Sequence, residues 1–298
     1  MARDRPLLRK VVVATDFSPG AAAALGRVAS LPLGPGATVS ILHVVPGSVP
    51  ARLRDAASAR ATRRLRRAAV GVARDLAGRV ADLDVGCTVA FGAPHVEIVR
   101  HARAIGAELV LVGRHGPRAV RDALLGSTAE RVVRKGDVPV LLVNERGGAA
   151  YRRALVAVDL SDASGRIVDL ALALLPPGAG PLRMVHAFHV AFEGWLIGDA
   201  LADYRREHRE AALAVARRLA ASCSRRGIRC EAVVREGDPR GVVLREAVRG
   251  GCDLVVIGTH ARSGVAHALL GSVAEWLIRA APCDVAVTRP ARFTFDAP

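Results

Sequence analysis

The chain carries one pattern twice. VVVATDFS (11–18) is matched by LVAVDLS (155–161), ILHVV (41–45) by MVHAF (184–188), and FGAPHVEIV (91–99) by EGDPRGVVL (236–244). ELVLVGRHG (108–116) returns as DLVVIGTHA (253–261), and LLGSTAERVVRKGDVPVLLV (124–143) as LLGSVAEWLIRAAPCDVAVT (269–288). The offset is 143 at Asp16/Asp159 and His43/His186, and 145 at Gly92/Gly237, Gly113/Gly258 and Gly126/Gly271. A repeat of this length restricts the fold to two copies of one architecture. The 298 residues suit two ordinary domains. ERGGAAYRR (145–153) reads as the linker, which sets the expected domains at 1–146 and 151–298.

Within each copy, short apolar runs alternate with helical stretches. In the first they are VVVAT, VSILHVV, CTVAF, LVLVG and VPVLLV. Continuous Val- and Ile-rich runs are what strands need when both sheet faces are covered. Aromatics are only 3% of the chain, so Val, Leu, Ile and Ala must fill the core. Ser18 before Pro19 is a helix start, an N-cap followed by a residue suited to the first turn. Five strands with four crossovers give an open α/β sheet. The last strands, DVPVLLV and CDVAVT, lack a covering partner in their own copy. An exposed apolar edge is a liability that pairing the two would remove.

Composition excludes several classes. No apolar run reaches the roughly 18 residues of a bilayer span. VVVA near the N-terminus is too short for a signal-peptide core and is followed by Asp16, so a cytoplasmic protein is expected. The five cysteines (Cys87, Cys223, Cys230, Cys252, Cys283) show no CxxC or Cys/His ligand spacing, and reduced structural thiols are expected. Net charge is +15, with +11 in residues 1–148 and +4 in 149–298. RATRRLRRAAVGVARDLAGR (60–79) invites a nucleic-acid reading, but Leu65, Ala68, Ala69, Val72 and Leu76 form an apolar stripe and the arginines fall mostly elsewhere. No nucleic-acid fold motif or stacking aromatic pair accompanies the charge, so nucleic acid is set aside. In the matching region of the second copy (195–220) packing is the default for Trp195, and for Phe192 just before it.

In open α/β sheets ligands bind beyond the carboxyl ends of the strands, at a topological switch point. At those ends stand Asp16 and Asp159, His43 and His186, Gly92-Ala93-Pro94 and Gly237-Asp238-Pro239, and a glycine loop. The loop runs G-x2-G-x9-G-S through Gly113, Gly116, Gly126 and Ser127. Glycine lets backbone N–H groups approach an anion, and a helix start favours phosphate. The alternative is local: Ser127-Thr128-Ala129-Glu130 and Ser272-Val273-Ala274-Glu275 both have capping-box spacing. GxxxxGK[ST] and GxGxxG after the first strand are both absent, which excludes a P-loop NTPase and the dinucleotide fingerprint.

VVVATDFS, the HVV after strand two, the G-x2-G-x9-G-S loop and the terminal VPVLLV together resemble the universal stress protein family in its tandem two-domain form. The resemblance implies two tandem Rossmann-like α/β domains of the adenine nucleotide alpha-hydrolase-like kind. Each is a five-stranded mostly parallel sheet flanked by helices, and they pair through their last strands, antiparallel across that interface. Some members bind ATP and others do not. The implied nucleotide-binding residues are Asp16, Val44, Gly113, Gly116, Gly126, Ser127 and Thr128 in the first copy. Asp16 would hold the nucleoside and Val44 would pack on adenine, with capping and core as their local alternatives. Arg114, Arg118 and Arg121 lie in the loop within reach of phosphates, though solvated surface arginine is the commoner role. His115 and His260 correspond but need no catalytic task. The second copy retains Asp159, Gly258, Gly271 and Ser272, with Val273 as its candidate at the position of Thr128, but has Ala261 for the second glycine and only Arg262 for the three arginines, so nucleotide is expected in the first.

The expected function is an ATP-binding stress-response regulator or sensor. No catalytic residue is identified. Slow hydrolysis is the most enzymatic activity expected, with Asp16 as the candidate to hold Mg²⁺ beside phosphate oxygens. A protein interaction module without nucleotide is the alternative. An internal pseudo-dimer is expected, and a homodimer and unidentified regulatory proteins stay open as partners.

Overall fold

The computed structural model describes residues 7–115, 125–144, 148–161, 164–189, 199–259 and 270–289. The first copy runs β1 (Leu8–Ala14), α1 (Pro19–Val28), β2 (Leu33–Pro46), α2 (Ala51–Leu76), β3 (Asp84–Gly92), α3 (Pro94–Ile105), β4 (Leu109–Gly113), α4 (Ser127–Lys135) and β5 (Val140–Val143). The second runs β6 (Ala154–Ala157), α5 (Ser164–Leu174), β7 (Leu182–Phe188), α6 (Asp199–Arg225), β8 (Cys230–Glu236), α7 (Pro239–Arg249), β9 (Leu254–Gly258), α8 (Ser272–Ala280) and β10 (Asp284–Thr288). No helix among the described residues is long and apolar enough to cross a membrane.

All ten strands form one sheet in the order β3-β2-β1-β4-β5-β10-β9-β6-β7-β8. Pairing is parallel within each copy and antiparallel where β5 meets β10, with Leu142 opposite Val285 and Val140 opposite Val287. The expected union of the two apolar edges is therefore what closes the molecule. Side-chain alternation explains the uninterrupted apolar runs. Val11, Val13, Leu109, Leu111, Leu141, Val256 and Ala286 face one layer, and Val12, Val110, Val112, Leu142, Val255 and Val285 the other. The first layer is covered by α1, α2, α5 and α6, the second by α3, α4, α7 and α8. Both cores cross the boundary between copies.

Local chemistry sets the helix ends. Ser18 Oγ accepts from the Ala21 N–H at 3.2 Å with Pro19 in the first turn, as expected. Asp238 and Pro239 do the same for α7. α3 stops at Gly106, whose φ of +64° is open chiefly to glycine. On α2, Leu65, Val72 and Leu76 are buried and Ala68 and Ala69 partly so, which is the stripe read from sequence.

The interface between the copies carries a ring of half-buried charge. Arg134 pairs with Glu275 at 2.9 Å and Arg279 with Glu130 at 3.0 Å, while each arginine also bonds the glutamate of its own helix. The hydrogen bond from Arg279, with Arg134 nearby, holds the Glu275 carboxyl below its usual value. A depressed carboxylate contributes stability above the unfolded pKa, about 4.3 for Glu, and loses it as pH falls through the folded value. Glu275→Gln should thus flatten the fall in stability below about pH 4, read by urea unfolding at stepped pH. An unchanged slope would count against the ring of charges.

Tyr151, read as part of the linker, is instead a fully buried anchor at 0% exposure. Its hydroxyl donates to Asp284 Oδ2 at 2.5 Å, and the Arg27 guanidinium lies 4.4 Å above its ring. Arg27 and Asp284, 3% and 2% exposed, form an ion pair at 2.9 Å.

Candidate functional site

In the first copy β1 lies between β2 and β4, and the chain leaves it for the two sides in turn. The loops after β1 and β4 therefore diverge, opening a crevice at their carboxyl ends. Asp16 stands there, exposed, with Oδ1 accepting the Ser18 N–H at 2.9 Å. It is a turn-former beside the helix, while Ser18 is the cap. Phe17 follows at a φ of +64°, a conformation that costs a bulky residue on the order of 1–3 kcal/mol. Its ring lies 4.5 Å from that of His43, and the Arg64 guanidinium sits 3.9 Å from its centre. His43 Nδ1 donates to the Thr15 carbonyl at 2.8 Å, which leaves Nε2 as the acceptor nitrogen of that tautomer. The second copy repeats the device with Leu160 at +61° and His186 Nδ1 on the Val158 carbonyl at 2.9 Å.

Gly113 ends β4 against the start of α1. A Cβ there would lie 2.4 Å from the Gly20 carbonyl carbon, so glycine is needed for packing whether or not a ligand binds. Gly126 N–H donates to the Arg114 carbonyl at 2.9 Å and Gly271 N–H to that of Thr259 at 2.7 Å, so each loop is closed at its neck by a backbone bond.

Two expectations fail against this geometry. The first is the capping box. α4 begins with Gly126 at the cap position, Ser127 is its first helical residue, and no side chain caps it. α8 begins in the same way from Gly271 and Ser272. Both glutamates that would complete the boxes are held by Arg134 and Arg279 instead. The second is Arg114. It is 3% exposed and donates to the Arg279 and Ala281 carbonyls at the carboxyl end of α8, so it does not face the loop's ligand side. Burial lowers its pKa. Arg289 makes the reciprocal contact with the Val133 and Arg134 carbonyls of α4. Each arginine meets the negative end of a helix dipole in the other copy.

Ser127 is exposed, and Thr128 and Gly126 are half-buried, at the open end of α4. Val44 is 8% exposed near the end of β2 and packs in the core beside Leu42 and Ile98. In the second copy Ser272 is exposed and Gly258, Gly271 and Val273 are half-buried. Asp159 differs from Asp16. Its Oδ1 accepts from Ser161 N, Ser161 Oγ and Ser164 Oγ at 3.0, 2.6 and 3.2 Å, and its Oδ2 is buried without a partner among the described residues. Gly116, Arg118, Arg121, Phe192, Trp195, His260, Ala261 and Arg262 lie outside the described residues. Residue spacing gives no warning of the Phe17–His43–Arg64 stack. Its only sequence trace is the recurrence of His43 as His186, because a positive φ in a bulky residue leaves no mark on periodicity. No group of three His, Cys, Asp or Glu side chains among the described residues is placed to hold a metal.

The fold agrees with what the chain is similar to. A universal stress protein from Archaeoglobus fulgidus superposes with a TM-score of 0.70 over 94% of this chain and 98% of its own, at 21% identity. In sequence, Universal stress protein Rv2005c of Mycobacterium tuberculosis is 28% identical over 232 residues, 74% of each chain. Universal stress protein YxiE of Bacillus subtilis is 25% identical over 147 residues, 47% of this chain and 99% of its own. The model of the universal stress protein family matches residues 8–144 and again 150–289. With both copies matched, the chain belongs to the universal stress protein family, as two such domains in tandem.

Proposed function

We propose that the chain is a cytoplasmic ATP-binding stress-response regulator or sensor, with domains at 1–146 and 151–298 and its nucleotide in the mouth of the first. The observation that carries this reading is the start of α4. Its first N–H groups point from a helix with no side-chain cap, at the neck of the glycine loop. Such a terminus suits phosphate through unpaired donors and the helix dipole. Gly126 and Ser127 would receive the phosphates with Gly116 and Thr128, and exposed Asp16 on the neighbouring loop would take the nucleoside. Bound magnesium would be shared between phosphate oxygens and Asp16. The second mouth is the weaker candidate. Asp159 is engaged by Ser161 and Ser164, and Ala261 replaces the second glycine.

Thermal unfolding with and without ATP tests the reading. At 100 times the dissociation constant, binding to the folded state adds about 2.7 kcal/mol and raises the melting temperature by a few degrees. No rise at millimolar ATP would favour an interaction module without nucleotide.

A further inference from the structure

Helix α6 packs along β8, the outermost strand at one edge of the sheet. The helix runs antiparallel to the strand. Arg205, near its start, pairs with Glu236 at the strand's end at 2.9 Å, and the Ile228 N–H returns to the Cys223 carbonyl at 3.2 Å where the two are joined. Between them lies an open pocket of about 400 Å³, within the size range of small-molecule sites. Its helix wall comes from positions 209, 213, 217, 220, 221 and 224, which share one face of α6. Fifteen steps of about 1.5 Å make that wall about 22 Å long, so the pocket is a trough. Small side chains keep it open. Ala220, Ala221 and Ser224 line it with Cys230 and Ala232. In the first copy the larger Val85 and Cys87 stand at the positions of those last two.

Charge is graded along the trough. The end formed by Ala220, Ala221, Ser224 and Cys230 has no charged lining residue, and no acidic side chain lines the trough at all. Toward the other end stand Arg209, Arg217 and Arg235. Arg235 is engaged by Glu246 at 3.0 Å. Arg209 and Arg217 are exposed and have no hydrogen bond or ion pair among the described residues. Half-buried Leu213 lies between them on the helix face. A guanidinium is the side chain best shaped to hold a carboxylate. Two open ones at the head of a trough floored by small apolar groups select an elongated anion with an apolar body.

We propose that the trough between α6 and β8 binds an amphipathic carboxylate with an unbranched apolar chain, a ligand of the fatty-acid class. Arg217 takes the carboxylate, with Arg209 as a second cation at the same end. The chain lies over Ala220 and Ala232 toward Cys230, where its burial supplies the apolar share of the binding. The site belongs to the second copy alone and is independent of the nucleotide reading.

Titration calorimetry and thermal unfolding of the full chain test it, with decanoate as the probe below the concentration at which it forms micelles. One decanoate should bind per chain and raise the melting temperature. Decanol has the chain without the charge, and acetate the charge without the chain. Each should bind at least about tenfold more weakly than decanoate. Arg209→Gln made with Arg217→Gln should weaken decanoate at least about tenfold and leave decanol unchanged. Ala221→Trp sets a bulky ring into the trough from an exposed helix position and should abolish binding. Saturating ATP should leave the affinity for decanoate unchanged. No saturable binding by either method, equal affinity for decanol or for acetate, or full binding by both folded variants would each overturn the proposal. Urea unfolding identifies a variant that fails to fold, and the comparison of the three probes on wild-type protein decides without it.

Discussion

Asp284→Ala is expected to cost about 3–5 kcal/mol of folding stability, measured by urea unfolding at neutral pH. The carboxylate receives the Asn144 N–H at 2.8 Å, the Tyr151 hydroxyl at 2.5 Å and the Arg27 guanidinium at 2.9 Å. Tyr151 is held as the protonated donor, since burial and Asp284 push its hydroxyl well up. Removing Asp284 leaves Arg27 as a buried cation whose partners are carbonyl and hydroxyl oxygens and the face of the Tyr151 ring. The loss is that uncompensated charge rather than the net worth of the pair. Arg27→Leu made together with Asp284→Ala should therefore recover a large part of the loss. At the matching positions the pseudo-symmetric copy has Leu170 and Pro139, so the architecture accepts an apolar pair there. A loss below about 1 kcal/mol for Asp284→Ala alone would mean water reaches Arg27.

Gly126→Arg should weaken ATP binding at least about 100-fold, while Gly271→Arg should leave it within about twofold. Both positions have an extended backbone, φ −61° and −59°, which any residue adopts, so the substitutions carry no backbone strain. The effect sought is local. A long side chain at the start of α4 would fill the space where phosphate must meet the helix N–H groups. Equal losses from both variants would contradict an asymmetric pair of mouths.

Most of the fold can be read from residues alone, for identifiable reasons. The duplication halves the problem, and runs such as LVLVG and VPVLLV declare strands covered on both faces. The union of β5 with β10 follows from two apolar edges that need each other. The site is less legible. S-x-x-E is a local pattern, and it predicts a capping box that long-range ion pairs dissolve, because Glu130 is drawn to Arg279 of the other copy. Arg114 is one of 41 arginines, set beside a glycine loop, and its partners stand 165 and 167 residues away. Tyr151 reads as linker because it follows ERGGAA, and nothing nearby in sequence announces Asp284. Contacts of that range are set by the pairing of the two copies, which spacing within one copy does not encode.

A nucleotide held only in the first mouth means one adenine nucleotide for each chain. Titration calorimetry of the nucleotide-free wild-type protein with ATP and magnesium counts it. The isotherm should saturate at one ATP per chain. Saturation at two per chain, or no binding heat together with no competition for a nucleotide analogue, would contradict a single occupied mouth.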